Sequence, residues 1–337
     1  MAQMKRPAFL PDDFTLLLVG TVALATLLPA QGGVAHFFDD FTTFAIGLLF
    51  FLHGAKLSRD AVRAGVSHWR LHVLVFACTF VLFPLLGLAL KPVLQPLVTH
   101  QLYTGVLFLC VLPATVQSSI AFTSMARGNV PAAVASASAS TLLGVFVAPL
   151  LVGLVVLPHA ASTNSLASMG RILLQLMLPF VVGHLARPWI SGWMHRRKHV
   201  LGIVDRGSIL LVVYTAFSAA VIEGLWKQVS PQALAGLLVV CAVLLACALF
   251  LTGWLARRLG FDKADEITIV FCGSKKSMAS GIPMAKVLFA SHAVGAIVLP
   301  LMLFHQMQLM VCAVLAQRYA QRVEPGGVSE PGREAIG

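Results

Sequence analysis

Charge is what this sequence has least of. Only 11% of its 337 residues are Asp, Glu, Lys or Arg, whereas a soluble globular domain carries about 25%. A chain so poor in charge cannot cover itself with polar surface in water, which removes the soluble-enzyme, disordered and nucleic-acid-binding classes. Acidic residues are scarcer still, 13 against 24 Lys and Arg, and none lies near the middle of an apolar run; Glu223 and Glu266 sit close to run ends. The six cysteines (Cys78, Cys110, Cys241, Cys247, Cys272, Cys312) fall inside apolar runs and none has metal-ligand spacing. They read as small hydrophobes, and neither a disulfide framework nor a metal site is expected.

What the sequence does have is hydrophobic length. Ten runs suit membrane helices of roughly 20 residues: 14–30, 37–54, 71–90, 101–126, 131–157, 170–188, 207–223, 232–256, 264–289 and 293–317. They leave no room for a separate soluble domain. With a cytoplasmic N-terminus, 18 of the 24 basic residues fall on the inner side. Only Lys91, Arg171, Lys227 and Lys286 fall outside. That bias follows the positive-inside rule and places both termini in the cytoplasm of a multi-pass plasma-membrane protein, a bacterial inner membrane being expected. The basic excess is therefore topology, and the lipid bilayer rather than nucleic acid is the expected partner. Leu28-Pro29-Ala30 makes a poor cleavage site because Leu28 is not small, so the first run is expected to stay as a helix. The tail 321–337, rich in Pro, Gly and Glu, is expected to be a disordered cytoplasmic end.

The polar stretch from Pro158 to Met169 divides the chain into five spans and five spans. Odd numbers per half make the halves enter the membrane from opposite sides, the arithmetic of an inverted repeat. The predicted units are residues 1–160 and 165–320. Both halves share an anomaly: Pro113 interrupts the fourth span, and Gly273-Ser274-Lys275-Lys276-Ser277 interrupts the ninth. Breaks in a membrane helix survive only where protein or a water-filled cavity covers the freed backbone groups. A matched pair of breaks points to a transport site, the plainer reading being two ordinary Pro or Gly kinks.

Candidate site residues follow from these breaks: Thr115, Gln117, Ser118 and Ser119 after the first, and Ser274, Lys275, Lys276 and Ser277 in the second. The fifth span adds Ser136, Ser140 and Thr141; 136 and 140 share a helix face. The run Ala132–Thr141 also reads as a small-residue packing stripe. Lys275 and Lys276 are the most informative pair, because adjacent ammonium groups at membrane depth repel each other and are costly. Three solutions are open: a bound anion, a neutral lysine, or contact with water. An anionic substrate or a titrating lysine leads. Gly128, Asn129 and Pro131 read as turn chemistry, a helix C-cap followed by an N-cap and a first-turn proline. His305 reads as a polar packing residue in the tenth span. Met278-Ala279-Ser280-Gly281 loosely matches a protease serine motif but lacks its first glycine, so no enzyme is expected.

The segments FFLHGAKLSRDAVRAGVSHWRLH (50–72), LPATVQSSIAFTSMARGNVPAAVASASASTLLGVFVAPLL (112–151) and FCGSKKSMASGIPMAKVLF (271–289) resemble the bile acid:sodium symporter superfamily (BASS). They are most similar to its SBF-like branch, which includes the seventh member of the human solute-carrier-10 group and fungal regulators of calcium entry. The resemblance implies an all-α membrane protein of ten transmembrane helices in two inverted five-helix repeats, with broken crossing helices 4 and 9. Helices 1, 2, 6 and 7 would form a panel, and helices 3–5 and 8–10 a core. It implies secondary active transport of a small organic anion by alternating access, or alternatively a non-transporting regulator of calcium influx. The sodium-coordinating Ser-Asn pair maps near Ser118 and Ser119, and the fifth-helix hydroxyls map on Ser136 and Ser140 or Thr141. The chain departs from sodium-coupled members at the ninth helix. Phe271 stands in place of a Glu, and Lys275-Lys276 replaces Gln-Asn. A hard cation wants oxygen ligands, so no sodium cofactor is expected and transport is expected to be sodium-independent or proton-linked.

Overall fold

Apolar runs of this length can satisfy their backbone in lipid only as helices, and helices are what the computed structural model contains. It describes residues 13–56, 68–156, 165–289 and 294–322. The basic residues Lys5, Arg6, Arg59, Arg63 and Arg333, most of the mid-chain stretch Pro158–Met169, and nearly all of the tail lie outside the described residues. No strand occurs among the described residues.

The principal helices are α1 (Asp13–Leu27), α2 (Gly32–Lys56), α3 (Trp69–Ala89), α4 (His100–Val111), α5 (Gln117–Met125) and α6 (Val130–Val156). They continue as α7 (Ser165–Arg196), α8 (Lys198–Ile222), α9 (Pro231–Arg258), α10 (Lys263–Gly273), α11 (Met278–Leu288) and α12 (Val294–Ala320). Six of these, α2, α3, α6, α8, α9 and α12, are long and apolar enough to cross a membrane. Large apolar side chains point outward along them and their neighbours: Leu27, Phe44, Leu154, Trp189 and Phe250 are mostly exposed. In water this surface would be unstable; against acyl chains it is the expected exterior.

Local chemistry sets the helix starts. Asn129, Ser230, Asp262 and Ser277 each cap a helix, their side chains accepting from the backbone N–H three residues on. The turn into α6 differs from expectation in one detail. Arg127, not Gly128, takes the left-handed conformation (φ 56°). Gly128 is required for space instead, since a Cβ there would lie 2.7 Å from Thr123 Cγ2 and 2.8 Å from Ile267 Cγ2.

Packing sorts the helices by contact. α2 packs on α7 and α8, and α1 on α8. The α2–α7 contact is backbone to backbone: a Cβ on Gly54 would lie 2.0 Å from the Phe180 carbonyl oxygen, and one on Gly183 would lie 2.0 Å from that of Phe51. The remaining helices pack around α4, α10 and α12, and α8, α11 and α12 meet between the two groups. Thr42 and Thr215 share a buried hydrogen bond of 2.8 Å where α2 meets α8.

Candidate functional site

Residues 112–116 between α4 and α5 and residues 274–277 between α10 and α11 are not helical. The two interruptions lie against each other. The Ser277 amide donates to the Pro113 carbonyl at 2.9 Å, and a Cβ on Gly281 would lie 2.4 Å from a Leu112 methyl. Residues 164 positions apart thus form one polar layer inside an apolar bundle.

Lys276 lies at the centre of this layer, with no exposed surface. Its Nζ donates to the carbonyls of Thr79 at 2.7 Å, Cys110 at 2.8 Å and Leu112 at 2.8 Å. It also sits 4.2 Å from the centre of the Phe83 ring. An ammonium has three N–H donors and no acceptor, so three carbonyls match its full capacity. Each carbonyl is available for a local reason. Cys110 and Leu112 lie in and just beyond the last turn of α4, where carbonyls lack intrahelical donors and the helix dipole is negative. Thr79 lies in a π-helical turn, Cys78–Leu82, where Phe83 N–H bonds the carbonyl of Cys78, five residues back. The next residue, Pro84, has no N–H, so Thr79 gains no backbone donor from it. Gln308 of α12 fixes the Lys276 peptide groups from both sides: its Oε1 accepts from Lys276 N–H and its Nε2 donates to Lys276 C=O, each at 2.9 Å.

Lys275 is equally buried but differently held. Its Nζ donates to the Ser118 carbonyl at 2.8 Å and lies 4.0 Å and 5.2 Å from the ring centres of Phe122 and Phe271. Cation–π contacts with desolvated groups contribute up to about 2 kcal/mol. Both side chains are enclosed, with carbonyls and aromatic rings around each ammonium group.

The other candidates divide. Thr115 Oγ1 and Ser118 Oγ are 2.5 Å apart, and Ser119 Oγ donates to the Phe271 carbonyl at 2.9 Å. Ser140 Oγ accepts from the Ala114 amide at 3.1 Å, holding the first interruption. Ser274 Oγ returns to its own helix, donating to Val270 C=O at 2.5 Å. Ser277 Oγ caps α11. Thr141 donates to Ala137 C=O within α6 and stays out of the layer. Ser136 shares a face with Ser140 but is engaged by His72 Nδ1 at 2.6 Å. Gln117 is exposed and lines a cavity of about 310 Å³ between α2, α5, α7 and α8. Sequence reasoning missed Gln308 and the aromatic faces of Phe83, Phe122 and Phe271. The legible signal was a polar cluster, His305, Gln306 and Gln308, inside the tenth apolar run. Among the described residues, no group of three or more His, Cys, Asp or Glu is placed to hold a metal ion.

A second cavity, of about 450 Å³, opens between α1, α11 and α12 and is almost wholly apolar. Met278 reaches it from α11, and a Thr15–Gln306 hydrogen bond of 2.9 Å is one of its few polar features.

The SBF-like CPA transporter family matches residues 12–321. The chain is 69% identical over 319 residues to the Pseudomonas aeruginosa protein named "Uncharacterized protein PA2026", covering 95% of this chain and 96% of that one. It is 59% identical to the Escherichia coli (strain K12) protein named "Putative symporter YfeH", covering 93% of this chain and 94% of that one. With "Sodium/bile acid cotransporter 7" of Rattus norvegicus it shares 26% identity over 303 residues, 89% of each chain.

Proposed function

The chain belongs to the SBF-like CPA transporter family, a multi-pass membrane protein in contact with the lipid bilayer, and on that premise we propose that it is a secondary active transporter of a small organic anion, working by alternating access without sodium. One observation carries this reading. The Lys276 ammonium, bonded to three carbonyls at 2.7–2.8 Å, occupies the crossing of the two interruptions as a tethered cation. These backbone oxygens, of the kind a hard cation would take, are already occupied by the ammonium. Lys275 makes one carbonyl bond where Lys276 makes three. Its proton can therefore leave at smaller cost in lost contacts, and we assign a proton link to it.

The architecture that fits this function is two inverted five-helix repeats, with α4–α5 and α10–α11 as the broken fourth and ninth helices. Matching helix contacts support it. If α1 to α6 correspond in order to α7 to α12, then α2 on α7 corresponds to α8 on α1, α3 on α4 to α9 on α10, and α3 on α6 to α9 on α12. α5 on α6 likewise corresponds to α11 on α12, and α4 on α12 to α10 on α6. The panel would be α1, α2, α7 and α8, the core everything else, and the excess of inner basic residues would put both termini in the cytoplasm of the inner membrane.

The test is uptake of labelled organic anions into proteoliposomes, with sodium replaced by choline and with an imposed pH gradient. Uptake that survives choline and follows the gradient supports the reading; uptake abolished by removing sodium overturns it.

A further inference from the structure

α7 has 32 residues, about 48 Å of helix, which leaves the roughly 30 Å hydrocarbon core at any common tilt. By the distribution of basic residues, its C-terminal turns enter the inner headgroup layer. One face of the helix is exposed all along that half: Leu178, Val182, Leu185, Trp189, Trp193 and Arg196 recur at steps of three or four residues. Their order matches the depth profile of one leaflet. Leu178 to Trp189 is about 16 Å of helix, close to half of the roughly 30 Å hydrocarbon core. The two tryptophans follow at the level where amphipathic rings settle, and Trp189 is 81% exposed. Arg196 lies about 10 Å beyond Trp189, at the depth of lipid phosphates.

Charge at that end is unopposed. Arg196 ends α7, Arg197 makes the one-residue corner and Lys198 opens α8, and all three are exposed. They make no ion pair among the described residues. No Asp or Glu occurs between residues 61 and 204, and Asp205 is held by Lys56. Other inner cations are engaged within the protein. Arg257 and Lys263 both pair with Glu266, Arg70 donates to the Leu259 carbonyl, and Arg322 donates to those of Ala126 and Arg127. Orientation in a bilayer accounts for inner basic residues in general. It does not account for three left together and unpaired at the end of an exposed apolar ladder.

We infer that the corner between α7 and α8 is a docking site for an anionic phospholipid of the inner leaflet. The lipid phosphate sits among Arg196, Arg197 and Lys198, the guanidinium forks each suited to two of its oxygens. An acyl chain lies along Leu178, Val182 and Leu185, with the two indole rings at the level of the glycerol. α7 is joined backbone to backbone with α2 through Gly54 and Gly183, so a lipid held here fixes both helices in the leaflet. In a transporter that rocks, such an anchor would leave the motion to the helices around α4, α10 and α12. The inference goes beyond the transporter reading and needs only the membrane setting.

The experiment uses the full chain purified in uncharged detergent, with melting temperature read against four additions. These are phosphatidylglycerol, phosphatidylcholine of the same acyl chains, inorganic phosphate and glycerol 3-phosphate. Phosphatidylglycerol should stabilise the protein well above phosphatidylcholine, and the two soluble phosphates should leave it unchanged. Arg196→Gln, Arg197→Gln and Lys198→Gln should each raise the half-saturating phosphatidylglycerol concentration about fivefold, and the triple variant about a hundredfold. The Lys91→Gln, Lys227→Gln double variant, changed at the opposite side, should titrate like the parent. Equal stabilisation by the two lipids overturns the inference, because the surface would then be ordinary lipid-facing helix. Stabilisation by a soluble phosphate to the same extent overturns it in favour of a free-ion site. A triple variant that titrates like the parent overturns it too; if that variant does not fold, unchanged titration in all three single variants has the same force. A stable dimer by light scattering that Trp189→Ala disrupts would put a second copy of the chain on this face, and also overturns it. Uptake plays no part in the measurement, so failure here and failure of the transporter reading are told apart.

Discussion

The Ser277 amide donates to the Pro113 carbonyl at 2.9 Å, so the two interruptions complete each other's backbone. Membrane-depth breaks need such cover, since an unpaired N–H or C=O in hydrocarbon costs several kcal/mol. Here the cover is reciprocal: Ser277 serves Pro113, Ser140 serves Ala114, and Lys276 serves Cys110 and Leu112. Gly144 lets this happen, because a Cβ there would lie 2.5 Å from Pro113 Cβ. The layer is thus a single polar unit assembled from both halves of the chain.

Removing the tethered cation should create a site for a free one. Lys276→Met leaves three carbonyl oxygens without donors, each costing roughly 1–3 kcal/mol, so the variant should melt well below the parent. Sodium is small enough to take those oxygens. The melting temperature of the variant should therefore rise with sodium chloride and stay flat in choline chloride, while the parent responds to neither beyond ionic strength. A variant indifferent to sodium would mean that the carbonyls collapse on each other, and the view of Lys276 as an ion substitute would fall.

Lys275 carries a separate expectation. Met fills the space beside Phe122 and Phe271 and keeps an apolar, polarisable contact with the rings, so Lys275→Met should fold with little loss of stability. What it removes is the exchangeable proton. Uptake driven by a pH gradient should drop to the level seen without a gradient, while exchange of labelled for unlabelled anion across the membrane continues. Gradient-driven uptake at the parental rate would show that the proton link lies elsewhere.

Much of this layer was legible in the sequence, but only its covalent half. Pro113 and Gly273–Ser277 mark the interruptions because proline clashes with the preceding turn and lacks an N–H, while glycine in a helix costs backbone entropy; Asn129 marks a helix start by capping it and Pro131 by its preset φ. Lys275 and Lys276 were conspicuous because charge is rare at membrane depth. Their partners were not, since a backbone carbonyl has no letter of its own. Thr79 becomes an acceptor only because α3 widens by one residue at Cys78–Leu82. Arg187 and Lys198 passed as inner-face topology signals in sequence. Only the packing of α7 on α2 and α8 shows that they share a cavity.

The contact of Gly54 with Phe180 and of Gly183 with Phe51 predicts a non-additive pair. Either Gly→Ala change places a methyl 2.0 Å from a backbone oxygen, a clash that only separating α2 from α7 can relieve. Each single variant should lower the melting temperature clearly. Once one methyl has pushed the helices apart, the second meets more space, so the double variant should lose less than the sum of the singles. Additive losses would mean that each clash relaxes locally and that the two helices do not move as bodies.

Pro84 supplies the sharpest separation of fold from function. In α3 it is the residue whose missing N–H leaves Thr79 without a local donor, and Thr79 is one of three acceptors for Lys276. Alanine at 84 restores an amide within reach of the Thr79 and Phe80 carbonyls and raises helix propensity by up to about 3 kcal/mol at a helix-interior position. Stability should therefore hold or rise. The new amide competes with Lys276 for Thr79, or closes the π-helical turn into a regular one and withdraws the carbonyl altogether. In either case the ammonium keeps two carbonyls of its three. Pro84→Ala should express and melt like the parent, or above it, yet transport markedly slower. A variant with both parental stability and parental uptake would show that the Thr79 contact is incidental, and that two carbonyls at the end of α4 suffice to hold the cation.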